Sequence, residues 1–178
     1  MSPDEHPFVA LAREAIRYYL ATGKFLDPPS EPGDPPPSGV FVSLHDEAEP
    51  GQLEGPLRGC IGSVRPREGS LRREVVRFAV AAATSDPRFA PLRSGEVDDL
   101  DVTVYLLGDA EPIDGLDDLD ASRYGVIVDG PGGRTGLLLP AIPGISTAAE
   151  QVDIACRKAS ISPADNIRLS RFEAEIIR

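Results

Sequence analysis

Six prolines crowd residues 28–37, and such a run cannot thread through a sheet or a helix interior, because proline lacks the N–H that both need. The tract Asp27-Pro28-Pro29-Ser30-Glu31-Pro32-Gly33-Asp34-Pro35-Pro36-Pro37-Ser38 is therefore expected to run extended over the surface. A ligand for a proline-binding module is the other use of such a tract; a plain connector is the simpler one. It divides a helical beginning from a strand-rich remainder. Before it, Val9, Ala12, Ile16 and Tyr19 or Leu20 recur at helical spacing, predicting an amphipathic helix over Phe8 to Leu20 that Gly23 ends.

After the tract, Gly39-Val40-Phe41-Val42-Ser43-Leu44 is β-branched and aromatic and reads as a strand. An acidic loop bearing glycine and proline leads to a second strand, Leu57 to Val64, its expected antiparallel partner. Ser70 is placed to cap a helix through Ala83, with Leu71, Val75, Phe78, Ala79 and Ala82 as its buried stripe. Asp86-Pro87-Arg88-Phe89-Ala90-Pro91-Leu92 is too proline-rich for helix and reads as a fixed turn. Leu100 to Leu107 alternates like a half-buried strand. Tyr124 to Val128 and Thr135 to Leu139 flank Asp129-Gly130-Pro131-Gly132-Gly133, which is hairpin chemistry. A helix over Ser146 to Ala159 and one or two strands over Asn166 to Ile177 complete the chain. Three helices and about six strands joined by short connections, without βαβ alternation, give the α+β class: mostly antiparallel sheet flanked by helices. At 178 residues the chain suits a single domain, 1–178, and buries roughly 70% of its unfolded surface without a staple.

The two cysteines, Cys60 and Cys156, are far apart and belong to no Cys-x-x-Cys pair, which excludes a disulfide framework and a self-contained cysteine zinc site. The acidic start, Met1-Ser2-Pro3-Asp4-Glu5-His6, has no apolar h-region, so no secretory signal is expected. No apolar run approaches the ~20 residues that span a bilayer. The expected location is the cytoplasm.

Leu57-Arg58-Gly59-Cys60-Ile61-Gly62 carries the most chemistry. In an unbroken strand Leu57, Gly59 and Ile61 face the core, while Arg58, Cys60 and Gly62 share the other face, the first two roughly 7 Å apart. A neighbouring cation favours the thiolate, the reactive form of cysteine. Glycines inside a strand mark a bulge or a close approach to the backbone. The opposing reading is that Cys60 is a small buried hydrophobe. A base is not evident: His6 lies in what reads as a frayed terminus, and His45, at the end of the neighbouring strand, either lies near Cys60 or is a loop-edge residue. Cys156 reads as a packed helix residue. Asp86 reads as a turn former, with Arg88 a second cationic group. The Gly130–Gly133 glycines lack the strand–loop–helix setting of a phosphate loop. Asp98-Asp99 and Asp117-Asp118 have no accompanying histidine or spaced third carboxylate, so no metal site is expected.

These residues resemble the AMMECR-type domain family, named after a protein from the human Alport syndrome, midface hypoplasia and elliptocytosis chromosomal region. Its hallmark, Leu-Arg-Gly-Cys-Ile-Gly, stands intact at Leu57 to Gly62. The strand at Gly39 to Leu44, Asp86 to Leu92, Tyr124 to Val128, Gly136-Leu137-Leu138-Leu139-Pro140 and Cys156-Arg157-Lys158-Ala159 resemble the family in order. The chain departs in its proline-rich insert and in lacking a tryptophan before Ala148. The resemblance implies a two-lobed fold, with the hallmark toward the cleft between the lobes and Asp86, Arg88 and Phe89 among its neighbours. It also implies kinship with protein A of the AmmeMemoRadiSam system, which accompanies a Memo-like protein and a radical SAM protein. It specifies neither a reaction nor a cofactor.

Two functional readings follow. In one, the domain is an enzyme or enzyme component handling a small anionic or redox-active molecule. Cys60 is its nucleophile or thiol ligand and Arg58 holds the anion. Gly59, Gly62, Asp86, Arg88 and Phe89 line the site, and the glycines admit substrate to the backbone. In the other, the same surface docks a Memo-like or radical SAM partner without catalysis. Arg58 also has the alternative of an internal carboxylate such as Asp86. A net charge of −11 repels phosphate backbones, so a gel-shift titration at physiological salt is expected to show no complex with DNA or RNA at micromolar protein.

Overall fold

The computed structural model describes residues 5–49, 55–162 and 165–178. Residues 1–4, and residues 50–54 of the expected acidic loop, lie outside that description. The described residues form three α-helices and eight strands. They divide into two compact units, Met1–Leu106 with Ile176–Arg178, and Leu107–Glu175.

In the first unit, α1 spans Pro7–Thr22, and Gly23 ends it in the left-handed region at φ 70°. His6 is not frayed: its Nδ1 accepts from the N–H of Phe8, capping the helix at 3.2 Å. The sheet has the order β2-β1-β3-β8, with β1 at Gly39–Asp46, β2 at Leu57–Ser63, β3 at Leu100–Leu107 and β8 at Ala174–Ile177. β1 and β2 are antiparallel, with Ser43 opposite Cys60 and Leu44 opposite Gly59. α2, Leu71–Thr84, begins at Ser70, whose side chain accepts from Arg73 N–H. It packs against α1 and against β1 and β2, so it is buried well beyond its predicted stripe: Val76, Val80, Ala83 and even Glu74 lie inside. Glu74 is tolerable there because its carboxylate accepts the backbone N–H groups of Arg67 and Glu68.

β3 is not half-buried. Only Asp101 is exposed, and Thr103, Tyr105 and Leu107 are buried along with the expected face; the strand is an interior one, between β1 and β8. The proline tract forms neither helix nor strand and is mostly exposed. It is nevertheless tied to the first turn of α2: Arg72 pairs with Glu31 at 3.0 Å and Asp34 at 3.6 Å, and Arg73 pairs with Asp27 at 2.8 Å.

The second unit has the sheet order β4-β7-β5-β6, with β4 at Glu111–Ile113, β5 at Gly125–Asp129, β6 at Thr135–Leu138 and β7 at Arg168–Phe172. Its neighbouring strands all pair antiparallel. The hairpin turn between β5 and β6 uses Gly132 and Gly133 at φ 71° and 74°, conformations that favour glycine. β4 is a strand the sequence pattern does not announce, since Pro112 sits in its middle; an edge strand accommodates this. α3, Ala148–Lys158, starts two residues later than its periodicity predicts, because Thr147 and Glu150 form a capping box there. Asn166 to Ile177 resolves into two strands, β7 and β8, in different sheets.

The two units share a device. A Cβ built on Gly59 of β2 would lie 2.1 Å from the Ala82 carbonyl oxygen of α2, and one on Gly136 of β6 would lie 2.0 Å from that of Ala155 in α3. Each helix backbone rests directly on a strand at its glycine. Gly59→Ala and Gly136→Ala are expected to cost about 1–3 kcal/mol each by overpacking. Gly69→Ala, where nothing lies within 4 Å, should leave the melting temperature near wild type in the same assay.

Candidate functional site

β2 is an edge strand, and an edge leaves alternate N–H and C=O groups without a strand partner. At Cys60 both outward groups are taken by one ion pair. The N–H donates to Asp86 Oδ2 at 2.9 Å, and the carbonyl accepts from Arg88 Nη2 at 3.4 Å. Asp86 reaches this position through the loop that follows α2, which is pinned where Leu92 N–H donates to the Ala83 carbonyl. Its carboxylate also accepts from Arg88 N–H at 3.1 Å, from Arg88 Nε at 3.0 Å and from Arg88 Nη2 at 2.7 Å. Arg88 in turn stands over the Phe89 ring, 5.2 Å from its centroid.

These bonds set the charge state of the pair. Arg88's guanidinium hydrogen bonds lower the Asp86 pKa most; burial opposes them, and the N–H groups of Cys60 and Arg88 add to them, taking it from 3.8 to about 2. The same contact with Asp86 raises Arg88. Asp86 is buried, with 3% of its side chain exposed, whereas the Arg88 side chain is 55% exposed. A fixed anion thus lies beneath a cation that solutes can reach.

The strand departs from simple alternation at Arg58. The register steps from Leu44 opposite Gly59 to His45 opposite Leu57, which leaves Arg58 as the extra residue of a bulge. Its guanidinium goes to Glu96 at 2.7 Å and Asp46 at 3.4 Å. Arg58 does have carboxylate partners, as one alternative anticipated, but they are not Asp86, which belongs to Arg88. His45 directs Nδ1 to the Gly55 carbonyl at 2.9 Å. The two glycines have packing reasons: Gly59 lies under Ala82, and a Cβ on Gly62 would meet the Phe41 ring at 2.2 Å. Cys60 is partly exposed, whereas Cys156 is fully buried in the core of the second unit, and that burial pushes its thiol pKa up.

Sequence reasoning did not single out Ser43. It is 3% exposed, stands opposite Cys60, and its Oγ has no hydrogen-bond partner among the described residues. A serine in an otherwise apolar strand segment was the available signal. In the second unit, a cavity of about 400 Å³ is lined by Asp109, Glu111, Arg123, Tyr124, Arg171 and Glu173, among others. There Arg123 and Arg171 both approach the Tyr124 ring, at 4.9 and 4.5 Å, and each is paired with a glutamate.

Helices and two antiparallel sheets, with a cysteine-bearing edge strand locked by an Asp–Arg pair, define an α+β protein of a particular kind. The chain belongs to the AMMECR1 family, whose model matches residues 9–177. A protein of Thermotoga maritima is 41% identical over 96% of this chain and 97% of its own length. A Clostridium acetobutylicum protein is 36% identical over 95% of this chain, which corresponds to only 35% of that longer protein. The crystal structure of a Pyrococcus horikoshii protein, described as uncharacterized, shares the fold with a TM-score of 0.84 at 36% identity, covering 95% of this chain and 88% of that one.

Asp86 is a depressed acid, so its contribution to stability is complete above the unfolded value near 4 and drains as pH falls toward 2. Asp86→Asn is expected to lose about 2 kcal/mol at neutral pH and to flatten that part of the acid denaturation curve, followed by circular dichroism against pH.

Proposed function

We propose that this domain is an enzyme or enzyme component that handles a small anionic or redox-active molecule at Cys60, acting as nucleophile or thiol ligand. The observation that carries the reading is the clamp: a buried aspartate and its arginine hold Cys60 by both its N–H and its C=O. A group that must meet a ligand in one geometry gains from a fixed main chain, because positioning is where much of a catalyst's advantage lies. Packing alone would not require a strand residue to be held by a buried charge.

The anion-holding role passes from Arg58 to Arg88. Arg58 is held between two carboxylates. Arg88 keeps a half-exposed guanidinium beside the Cys60 carbonyl, and its planar fork suits carboxylate or phosphate. Arg58 then serves as the strut of the bulge, while Gly59 and Gly62 shape the strand and do not touch substrate.

The second reading is an adaptor that docks a Memo-like or radical SAM partner in an AmmeMemoRadiSam-type system. What favours it is the Clostridium relative, in which the matching region is about a third of a longer protein; such a domain works alongside other covalently attached sequence.

Iodoacetamide separates the readings. Under the first, Cys60 is alkylated well before Cys156 in the native protein, as read by peptide mass spectrometry, and Arg88→Gln abolishes any thermal shift given by small carboxylates or phosphates. A ligand at a hundredfold excess over its Kd adds roughly 2.7 kcal/mol, so such a shift is readily seen. Equal, slow labelling of both cysteines together with a flat ligand screen would leave the docking reading.

A further inference from the structure

Ser43 carries an inference that rests on the reading of Cys60 as a nucleophile and deepens it. A buried hydroxyl without a partner forfeits its hydrogen bonds to water, and a strand has many side chains that would fill the place at lower cost. Ser43 is 3% exposed and its Oγ has no partner among the described residues. It stands directly opposite Cys60. Residues opposite each other in an antiparallel pair project to the same face, with Cβ atoms about 5 Å apart. The hydroxyl and the thiol are therefore neighbours on one face of the sheet.

A nucleophilic serine or cysteine commonly uses its own N–H to hold the oxygen on which negative charge develops. That donor is unavailable at Cys60, because the N–H is donated to Asp86 at 2.9 Å. Arg58 is committed to Glu96 and Asp46, and Arg88, with Nε and Nη2 on Asp86, keeps the rest of its half-exposed guanidinium for the ligand's anionic group. On the face that carries the thiol, the buried donor without a hydrogen-bond partner among the described residues is Ser43.

We propose that Ser43 is the oxygen-holding donor of the Cys60 site, and that the site takes a small carbonyl compound. A thiolate approaches a carbonyl carbon at about 3–3.5 Å, and a hydroxyl binds the attached oxygen at about 2.7 Å. Those lengths, folded around one carbon–oxygen bond, suit side chains rooted about 5 Å apart. In the step, Cys60 Sγ forms a bond to the carbonyl carbon. The carbon–oxygen π pair moves onto oxygen, where the Ser43 O–H stabilises it, and a proton from water completes a thiohemiacetal. The thiol's own proton leaves to solvent, so the addition is balanced, reversible and needs no oxidant.

The experiment uses the whole chain with glyoxylate, a small anionic aldehyde, as the probe. Iodoacetamide alkylation of Cys60 is timed by mass spectrometry with and without glyoxylate in wild type, Ser43→Ala and Ser43→Thr, and each variant is melted. The expected result has four parts. Glyoxylate protects wild-type Cys60. Ser43→Ala is alkylated within about twofold of the wild-type rate when no aldehyde is present, since alkylation at a saturated carbon develops no oxyanion. Its protection needs about tenfold more glyoxylate, the worth of one hydrogen bond. Ser43→Thr, which keeps a hydroxyl and suits a strand, recovers much of that protection. Equal protection in Ser43→Ala and wild type, or no protection in wild type, overturns the proposal. So does a marked fall in the Ser43→Ala melting temperature, which would show a hydroxyl engaged in holding the fold. If wild-type Cys60 resists iodoacetamide altogether, the nucleophile reading itself falls, a failure distinct from the others.

Discussion

A helix carbonyl can approach a β-strand to within bonding range of where a side chain would start only if the strand residue there has none. Both units are assembled on that condition, α2 on β2 at Gly59 and α3 on β6 at Gly136. Close approach of this kind is directional: it fixes where along the strand the helix lies and how it is rotated, whereas a layer of leucines permits sliding. In the first unit the consequence reaches the site. With α2 seated on Gly59, the loop that leaves α2 delivers Asp86 to the next residue of the same strand, where it meets the Cys60 N–H.

The site is thus a product of backbone geometry more than of a collection of reactive side chains. Asp86 is buried, charged and fully occupied, and its partner is partly in solvent. A buried carboxylate persists when its hydrogen bonds and one close cation offset its lost hydration. Here four donors from two residues do so. The arrangement ties the loop that follows α2 to the sheet edge, with Cys60 and Ser43 opposite each other beside it.

Much of this was legible in the sequence where local rules act alone. The helices follow from apolar spacing and their caps, and the hairpin follows from Gly132 and Gly133. The pairing of the two strands carrying Ser43 and Cys60 follows from the β-branched and aromatic first strand and the loop that leads directly to the second. What escaped depends on neighbours distant in sequence. β3 alternates like a surface strand, yet its second face is buried as well, by neighbours that a local pattern does not specify. Pro112 conceals β4, because edge position is not written locally. Arg58 falls out of alternation because a bulge is a property of two strands, and its carboxylates come from Asp46 and Glu96, in separate elements. The hallmark drew attention to Cys60 and the resemblance to Asp86, but Asp86's bond to the Cys60 N–H and the unpartnered Ser43 exist only in the folded chain.

The sheet order carries a consequence for synthesis. β3 leads into the second unit and β8 leads out of it, yet the two are adjacent in the sheet of the first. While the intervening residues are still emerging from the ribosome, β3 has β1 on one side and an open, apolar edge on the other. An edge of that composition invites pairing with other chains. Until β8 has been made that edge stays open, and the pairing of β8 with β3 is what closes it.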